Sequence, residues 1–142
     1  MSFCREQRYL DWLKKKIEKS NIDIMEDNCI FCEIVKGKIP AKIIYESSDV
    51  IAFEDINPLT NCHYLLIPKL HISNIMNVSS ENIRVLGELL YANKKVAEIL
   101  GLKDGFRNII NNGIIANQEV YHLHIHLISS EVKLPPMFVK KL

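Results

Sequence analysis

Apolar and polar positions change their period several times along the chain, and each change predicts an element. Alternating or unbroken apolar runs predict strands over residues 42–46, 50–54 and 63–68. The segments between them, residues 47–49 and 57–61, are rich in Ser, Asn, Asp and Pro, which is the composition of turns. Because the connections are short, we expect the three strands to be antiparallel neighbours.

Helical spacing is clearest in the second half of the chain. An apolar stripe begins after Ser79 or Ser80, either of which can act as an N-cap, and ends before Gly101, a typical C-terminal stop. A shorter helix is predicted over residues 33–36, ending at Gly37. The long stripe consists of Ile83, Leu86, Leu90, Ala97 and Leu100.

Residues 106–111 and 121–128 add two further predicted strands. The whole pattern predicts an α+β fold, with a sheet of about five antiparallel strands, one long helix on one face and short helices near the N-terminus. With 142 residues, of which 48% are hydrophobic, the chain suits a single domain. We assign this domain to residues 29–142.

Residues 1–28 are interpreted as an N-terminal helical extension. Apolar residues recur there at helical spacing, while the polar positions carry both signs of charge. This pattern favours a helix packed on the domain over a targeting or membrane helix. The apolar positions are Tyr9, Leu10, Leu13 and Ile17.

The nearly equal numbers of acidic and basic residues argue against a polyanionic binding partner. With 18 basic and 17 acidic residues the formal net charge is +1, which gives no basic footprint for a nucleic-acid polymer or an acidic membrane surface. No apolar stretch reaches the roughly 18 residues of a membrane span. We expect a reducing, cytoplasmic location, with the nucleus as an alternative, and a small molecule as any nucleotide partner.

Three histidines stand at alternate positions of the last predicted strand. Side chains alternate between the two faces of a strand, so the three imidazoles are expected on one face, roughly 6 to 7 Å apart. Three apolar side chains would fill the other face. The two sets are His122, His124 and His126, and Leu123, Ile125 and Leu127.

The residues alone leave three interpretations of this histidine row. A neutral imidazole is a nucleophile near physiological pH, which makes the central His124 a candidate nucleophile and His126 a donor to a phosphate or leaving group. His63 joins them if its strand pairs with theirs. The alternatives are a tris-histidine metal site and a solvated face without a role.

Cys29 and Cys32 form a Cys-x-x-Cys pair, the spacing of one half of a tetrahedral zinc site. The alternatives are a redox pair and two buried free thiols. Cys4 and Cys62 have no partner at a useful spacing and are expected to be free cysteines.

The run from His122 to Ile128 resembles the His-x-His-x-His-x-x signature, with x apolar, of the histidine triad family of nucleotide hydrolases and transferases. The resemblance extends in unbroken order over about residues 29–130 and looks like the Hint branch, whose members cleave purine nucleoside phosphoramidates. The other matching segments are Ile39-Pro40-Ala41-Lys42, Phe53-Glu54-Asp55-Ile56-Asn57-Pro58, His63-Tyr64-Leu65-Leu66-Ile67-Pro68-Lys69-x-His71, Asn111-Asn112-Gly113 and Gln118-Glu119-Val120-Tyr121-His122.

This resemblance implies a role for each matching residue. His124 would take the nucleotidyl group as a covalent intermediate, His126 would contact the phosphate and His63 would support the triad. Asp55 would hold the ribose hydroxyls. The base pocket would be lined by Ile34, Phe53, Ile56 and Leu65, and the phosphate would be surrounded by Asn111 and the backbone around Asn117, Gln118 and Glu119.

The resemblance also implies the second half of the zinc site. In zinc-containing members of the Hint branch the remaining ligands match His71 and His122 here. Together with Cys29 and Cys32 they would hold a structural Zn²⁺, because four protein ligands leave no open position. Hint-type proteins are homodimers joined by their long helices and a continuous sheet, so a homodimer is expected here.

The expected activity is hydrolysis of a purine nucleoside 5′-phosphoramidate, such as adenosine 5′-phosphoramidate, through a nucleotidyl-histidine intermediate. The alternatives are a dinucleoside polyphosphate hydrolase and a nucleotide-binding interaction protein with weak catalysis. Two positions depart from the family pattern. Asn117 replaces a usual glycine, although asparagine tolerates the left-handed conformation, and Glu119, where many eukaryotic members have serine, is expected to face outward.

Overall fold

The computed structural model describes residues 28–137. The predicted N-terminal helix over residues 1–28 therefore lies outside the described residues, apart from Asn28. The elements in chain order are helix α1 (Ile30–Val35), strands β1 (Ile43–Glu46), β2 (Val50–Glu54) and β3 (Cys62–Pro68), helix α2 (Ile83–Leu100), and strands β4 (Arg107–Ile109) and β5 (Ile125–Ser129).

The five strands form one sheet in the order β1-β2-β3-β5-β4, and every neighbouring pair is antiparallel. The predicted α+β fold, with a five-stranded antiparallel sheet and one long helix, is therefore confirmed. The strand predicted over residues 50–54 has those bounds. No helix among residues 28–137 is long and apolar enough to cross a bilayer.

Each face of the sheet carries its own apolar cluster. On one face, Leu89 and Val96 of α2 pack against Leu66, Ile125 and Leu127. The opposite face is covered by α1, and its cluster consists of Cys29, Phe31, Cys32, Ile34, Ile51, Phe53, Leu65 and Ile67. The first turn of α1 therefore lies on the face of the sheet that carries the histidines.

Helix α2 begins and ends close to its predicted signals. Ser79 and Asn82 form a capping box around a single 3₁₀ turn, Ser80–Asn82, which leads directly into the α-helix. At the other end Gly101 adopts the left-handed conformation with φ 67°, where glycine avoids the Cβ clash of other residues. The long helix is thus fixed at both ends by local sequence.

The last strand is shorter than predicted. β5 spans Ile125–Ser129, so His122 and His124 precede it and the prediction of a strand from residue 121 is wrong there. Continued register would place Leu123 opposite Pro68, which has no N–H to donate. The Leu123 N–H instead donates to the Ile72 carbonyl at 2.6 Å. β4 spans Arg107–Ile109 and is also shorter than the strand predicted over residues 106–111.

Candidate functional site

The histidine row keeps its alternation although two of its members lie before the strand. Leu123, Ile125 and Leu127 all pack into the cluster under α2. The His124 and His126 rings face the other side, with their centroids 5.0 Å apart. The structure therefore places the imidazoles and the apolar side chains on opposite faces, as the spacing predicted.

His124 is held in one orientation by its own backbone. Its Nδ1–H donates to the His122 carbonyl at 2.7 Å, which leaves the lone pair on Nε2. Burial lowers the pKa of His124, against the opposing effects of this hydrogen bond and of the Asp55 charge. The Phe31 ring packs edge-on against it, with centroids 5.3 Å apart. His124 is thus a neutral, oriented imidazole, the form in which histidine is a nucleophile.

His63 enters the same site from β3. In the β3–β5 register, Leu65 lies opposite His126 and His63 lies opposite Ile128, so the two histidines share a face. The His63 Nε2 atom lies 2.9 Å from His126 Nδ1 and 3.3 Å from Asp55 Oδ2. The sheet therefore brings together His63, His126 and Asp55, three of the residues predicted to act on a nucleotide.

A second cluster lies beside the row and consists of Cys29, Cys32, His71 and His122, whose ligand atoms are all within 4.8 Å of one another. Cys29 is the N-cap of α1, and Cys32 lies one turn later on the buried side of the helix. His71 follows the end of β3. The fold thus assembles the four residues from three separate segments of the chain.

The geometry of this cluster suits a tetrahedral ion. The Cys32 Sγ atom lies 3.2 Å from His71 Nδ1 and 3.6 Å from His122 Nδ1, and Cys29 Sγ lies 3.4 Å from His122 Nδ1. The edge between sulfur and nitrogen ligands of a tetrahedral zinc is about 3.5 Å. The His122 Nε2–H donates to the Pro68 carbonyl at 2.7 Å, which leaves Nδ1 available to a metal. Burial lowers the pKa of His122 to about 4, which keeps this ring neutral.

The residues predicted for a base pocket fall into two groups. Ile34, Phe53 and Leu65 are buried together against Phe31 on the α1 face of the sheet. Ile56, in the loop after β2, is 91% exposed and lies outside that cluster. The first three therefore form part of the packed core, whereas Ile56 offers free apolar surface.

Comparison with known proteins agrees with this arrangement. Residues 28–141 match a family model described as "Scavenger mRNA decapping enzyme C-term binding". The chain is 42% identical to Protein HitA of Neisseria gonorrhoeae over 75% of its own length and 99% of that protein. It is also 42% identical to a 14 kDa zinc-binding protein of Zea mays, over 75% of this chain and 86% of that one. A HIT family hydrolase from Clostridium thermocellum superposes with a TM-score of 0.75 at 42% identity, covering 79% of this chain and 98% of that chain.

The chain belongs to the histidine triad family. Its five-stranded antiparallel sheet and its long helix fit this assignment. The membership of the histidine triad family that the sequence predicted is therefore confirmed.

The loop before the triad contains Asn117 and Glu119, the two positions at which the sequence resemblance implied a departure. Asn117 has φ 58°, in the left-handed region where glycine is most at ease and asparagine is tolerated. Asn111 is half-buried, and Glu119 is exposed.

Gln118 in the same loop is fully buried. Its Nε2 group donates to the Ser73 and Val120 carbonyls, and its Oε1 atom accepts from the Gly113 N–H and from Asn74 Nδ2. The Gln118 side chain therefore holds the loop, and its backbone N–H adds a further hydrogen bond to the Gly113 carbonyl at 3.1 Å.

Two groups that contribute to the site were not predicted from the sequence. Phe31 packs against both His122 and His124, with centroid distances of 5.9 and 5.3 Å. Its place between the two cysteines of the short helix was the available clue. The Leu59 N–H donates to His63 Nδ1 at 3.0 Å. This contact involves the backbone, so a pattern of side chains cannot predict it.

Proposed function

We propose that this protein is a nucleotide hydrolase that cleaves purine nucleoside 5′-phosphoramidates through a covalent nucleotidyl intermediate on His124. One observation carries the proposal: the His124 Nδ1–H is held by the His122 carbonyl at 2.7 Å, so the Nε2 lone pair of a buried, neutral ring is available for attack. The kinship with a HIT family hydrolase supports the same reaction class.

The proposed reaction has two steps. In the first, His124 Nε2 forms a bond to the α-phosphorus, the phosphorus–nitrogen bond of the substrate breaks, and the leaving nitrogen takes a proton from solvent while His126 Nε2–H donates a hydrogen bond to it. In the second, water attacks the phosphorus, the bond from phosphorus to His124 breaks, and the proton from water is released to solvent. The products are a nucleoside monophosphate and a free amine.

The remaining residues would bind the substrate. Asp55 would accept hydrogen bonds from the ribose hydroxyls, which suits a carboxylate with two acceptor oxygens. Asn111 and the backbone of residues 117–119 would surround the phosphate. The base would lie against the edge of the buried cluster that contains Ile34, Phe53 and Leu65, and its binding would cover the exposed Ile56.

We propose that Cys29, Cys32, His71 and His122 hold a zinc ion. The donor set and its spacing fit, and one relative is named a zinc-binding protein. With four protein ligands the ion would be a structural cross-link without an open position. His122 would then have two functions, since its ring binds the metal and its carbonyl orients His124.

A homodimer and a cytoplasmic or nuclear location complete the proposal. Three features support a second copy of the chain as partner. Helix α2 has exposed apolar residues, and β4 is an outer strand of the sheet with an open edge. The Asn93 Nδ2 atom is buried and has no hydrogen-bond partner within residues 28–137. Leu90→Glu is expected to give monomers in sedimentation velocity. Lys38→Glu, an exposed position after α1 on the opposite face of the sheet, is expected to leave dimers. Location in a reducing compartment follows from the need to keep Cys29 and Cys32 as thiols, and imaging of a tagged chain tests it.

The substrate class is tested by comparing leaving groups. We expect kcat/KM for adenosine 5′-phosphoramidate to exceed that for a diadenosine polyphosphate by about a hundredfold or more, a difference of about 3 kcal/mol in barrier. The reverse preference would make the protein a dinucleoside polyphosphate hydrolase. Nucleotide binding without turnover of either would make it a binding protein.

A further inference from the structure

His63 lies between a loop amide and two residues of the site. The Leu59 N–H donates to His63 Nδ1 at 3.0 Å. A ring nitrogen that accepts a hydrogen bond carries no proton, so the proton of neutral His63 is on Nε2. That nitrogen is the one that lies 2.9 Å from His126 Nδ1 and 3.3 Å from Asp55 Oδ2.

The position of the His63 proton determines the position of the His126 proton. A hydrogen bond between two ring nitrogens needs one donor and one acceptor. Because His63 Nε2–H is the donor, His126 Nδ1 is the acceptor, and the proton of neutral His126 is on its Nε2. His126 therefore offers an N–H from the ring nitrogen that is not bonded to His63.

The same reasoning separates this cluster from a metal site. Asp55, His63 and His126 place their ligand atoms within 4.8 Å of one another, a donor set that also occurs around metals. A histidine that binds a metal through one nitrogen usually donates through the other, and the His122 Nε2–H does donate to the Pro68 carbonyl. His63 instead accepts at its other nitrogen, which favours a hydrogen-bonded relay over a metal centre.

The loop that carries Leu59 is held on both sides. Asp55 Oδ1 accepts from the Asn57 N–H at 2.8 Å at its start. Near its end the Thr60 hydroxyl lies 2.9 Å from the Cys62 carbonyl and 2.7 Å from the Ser129 carbonyl. The Leu59 amide is thus directed at His63 by contacts to β3 and β5.

We propose that the backbone N–H of Leu59 is a positioning group for catalysis, because it fixes His63 and His126 in their Nε2–H tautomers. The inference rests on the proposed function, in which His126 Nε2–H donates a hydrogen bond to the leaving nitrogen. Without the amide, His63 can carry its proton on Nδ1 and accept from His126 Nδ1–H. That reversal would leave His126 Nε2 without a hydrogen bond to donate.

The test combines a spectroscopic and a kinetic measurement on the full-length protein. Long-range ¹H–¹⁵N NMR at about pH 8, where ordinary histidines are neutral, reports which ring nitrogen is protonated. We expect Nε2–H at both His63 and His126. Leu59→Pro deletes the amide donor, and Leu59→Ala is the matched control, because it removes the exposed side chain and keeps the N–H.

Leu59→Pro is expected to give mixed tautomers at both histidines and a fall in kcat of about tenfold, the cost of one hydrogen bond. The KM for nucleotide should stay within about twofold, and Leu59→Ala should match wild type. Nδ1–H at His63 in wild type, or a Leu59→Pro protein with unchanged tautomers and kcat, would overturn the inference.

Two further outcomes keep the proposals apart. If Leu59→Pro does not fold, replacing Leu59 by its α-hydroxy acid analogue deletes the same N–H, and the same two readouts apply. Turnover in wild type with Nδ1–H at His63 would overturn this inference and leave the proposed function intact. The expected tautomers without turnover would support the tautomer assignment and overturn the proposed function.

Discussion

Replacing Gln118 by methionine tests whether one buried side chain holds the loop before the triad. Gln118 is fully buried and makes four hydrogen bonds, to Ser73, Asn74, Gly113 and Val120, at 2.7 to 3.2 Å. At about 1 kcal/mol net for each bond the loss is about 4 kcal/mol. Methionine has a similar length and gains apolar burial, which offsets about 1 kcal/mol. The free energy of unfolding should therefore fall by about 3 kcal/mol.

The assay is equilibrium unfolding in urea, followed by circular dichroism. Ile115→Gln is the matched control, because Ile115 lies three residues away in the same loop and is 100% exposed. Its effect should stay within about 0.5 kcal/mol. A loss of less than about 1 kcal/mol in Gln118→Met, with an unchanged m-value, would refute the conclusion that these four bonds hold the loop.

Three further predictions concern the metal cluster and the backbone. Cys29→Ser should lower the zinc content, measured by mass spectrometry of the metal, from about one ion per chain to well below one. It should also lower Tm by about 10 °C or more, whereas Cys62→Ser should change neither the zinc content nor Tm. Asn117 has a φ of 58°, which glycine adopts easily and a β-branched residue does not. In urea unfolding, Asn117→Gly should therefore change the free energy of unfolding by less than about 0.5 kcal/mol, and Asn117→Val should lower it by about 1 to 2 kcal/mol. Equal effects of the two substitutions would contradict the left-handed conformation of Asn117. Because the folded-state pKa of His122 is lowered from 6.5 to about 4, the unfolded state binds its proton first. Metal-free protein should therefore lose about 3 kcal/mol as pH falls from 6.5 to 4, and a stability independent of pH in that window would contradict the burial of this ring.

Sequence reasoning succeeded where local pattern decides structure. The strand Val50–Glu54 and the left-handed stop at Gly101 follow from short-range features, namely apolar runs, turn residues and the conformational freedom of glycine. The strand predicted from residue 121 began too early. The alternation of polar and apolar residues indicates which face of the chain is buried, but it does not show whether the backbone is hydrogen-bonded to a neighbouring strand. The pairing of β3 with β5 ends there because Pro68 has no N–H and because the Leu123 N–H donates to the Ile72 carbonyl. Neither feature can be recognised from the periodicity of the sequence.

The site needed more than local pattern. His71 lies 39 residues from Cys32, and only the family resemblance linked them before the structure brought Cys32 Sγ within 3.2 Å of its ring. The same resemblance grouped Ile56 with Phe53, and only the structure shows that Phe53 is buried in a strand while Ile56 is exposed in the loop after it. Tautomers depend on backbone carbonyls and amides, so the orientations of His124 and His63 could be derived only from the folded chain.

The central claim is that His124 is the nucleophile, and trapping the intermediate tests it most directly. Wild-type protein and His124→Ala would be mixed with adenosine 5′-phosphoramidate, quenched rapidly and analysed by mass spectrometry, with peptide mapping of any adduct. The account predicts an adenylyl group on His124 in wild type, and neither adduct nor turnover in His124→Ala, which still binds nucleotide. An adduct on another residue, or turnover that survives in His124→Ala, would contradict it.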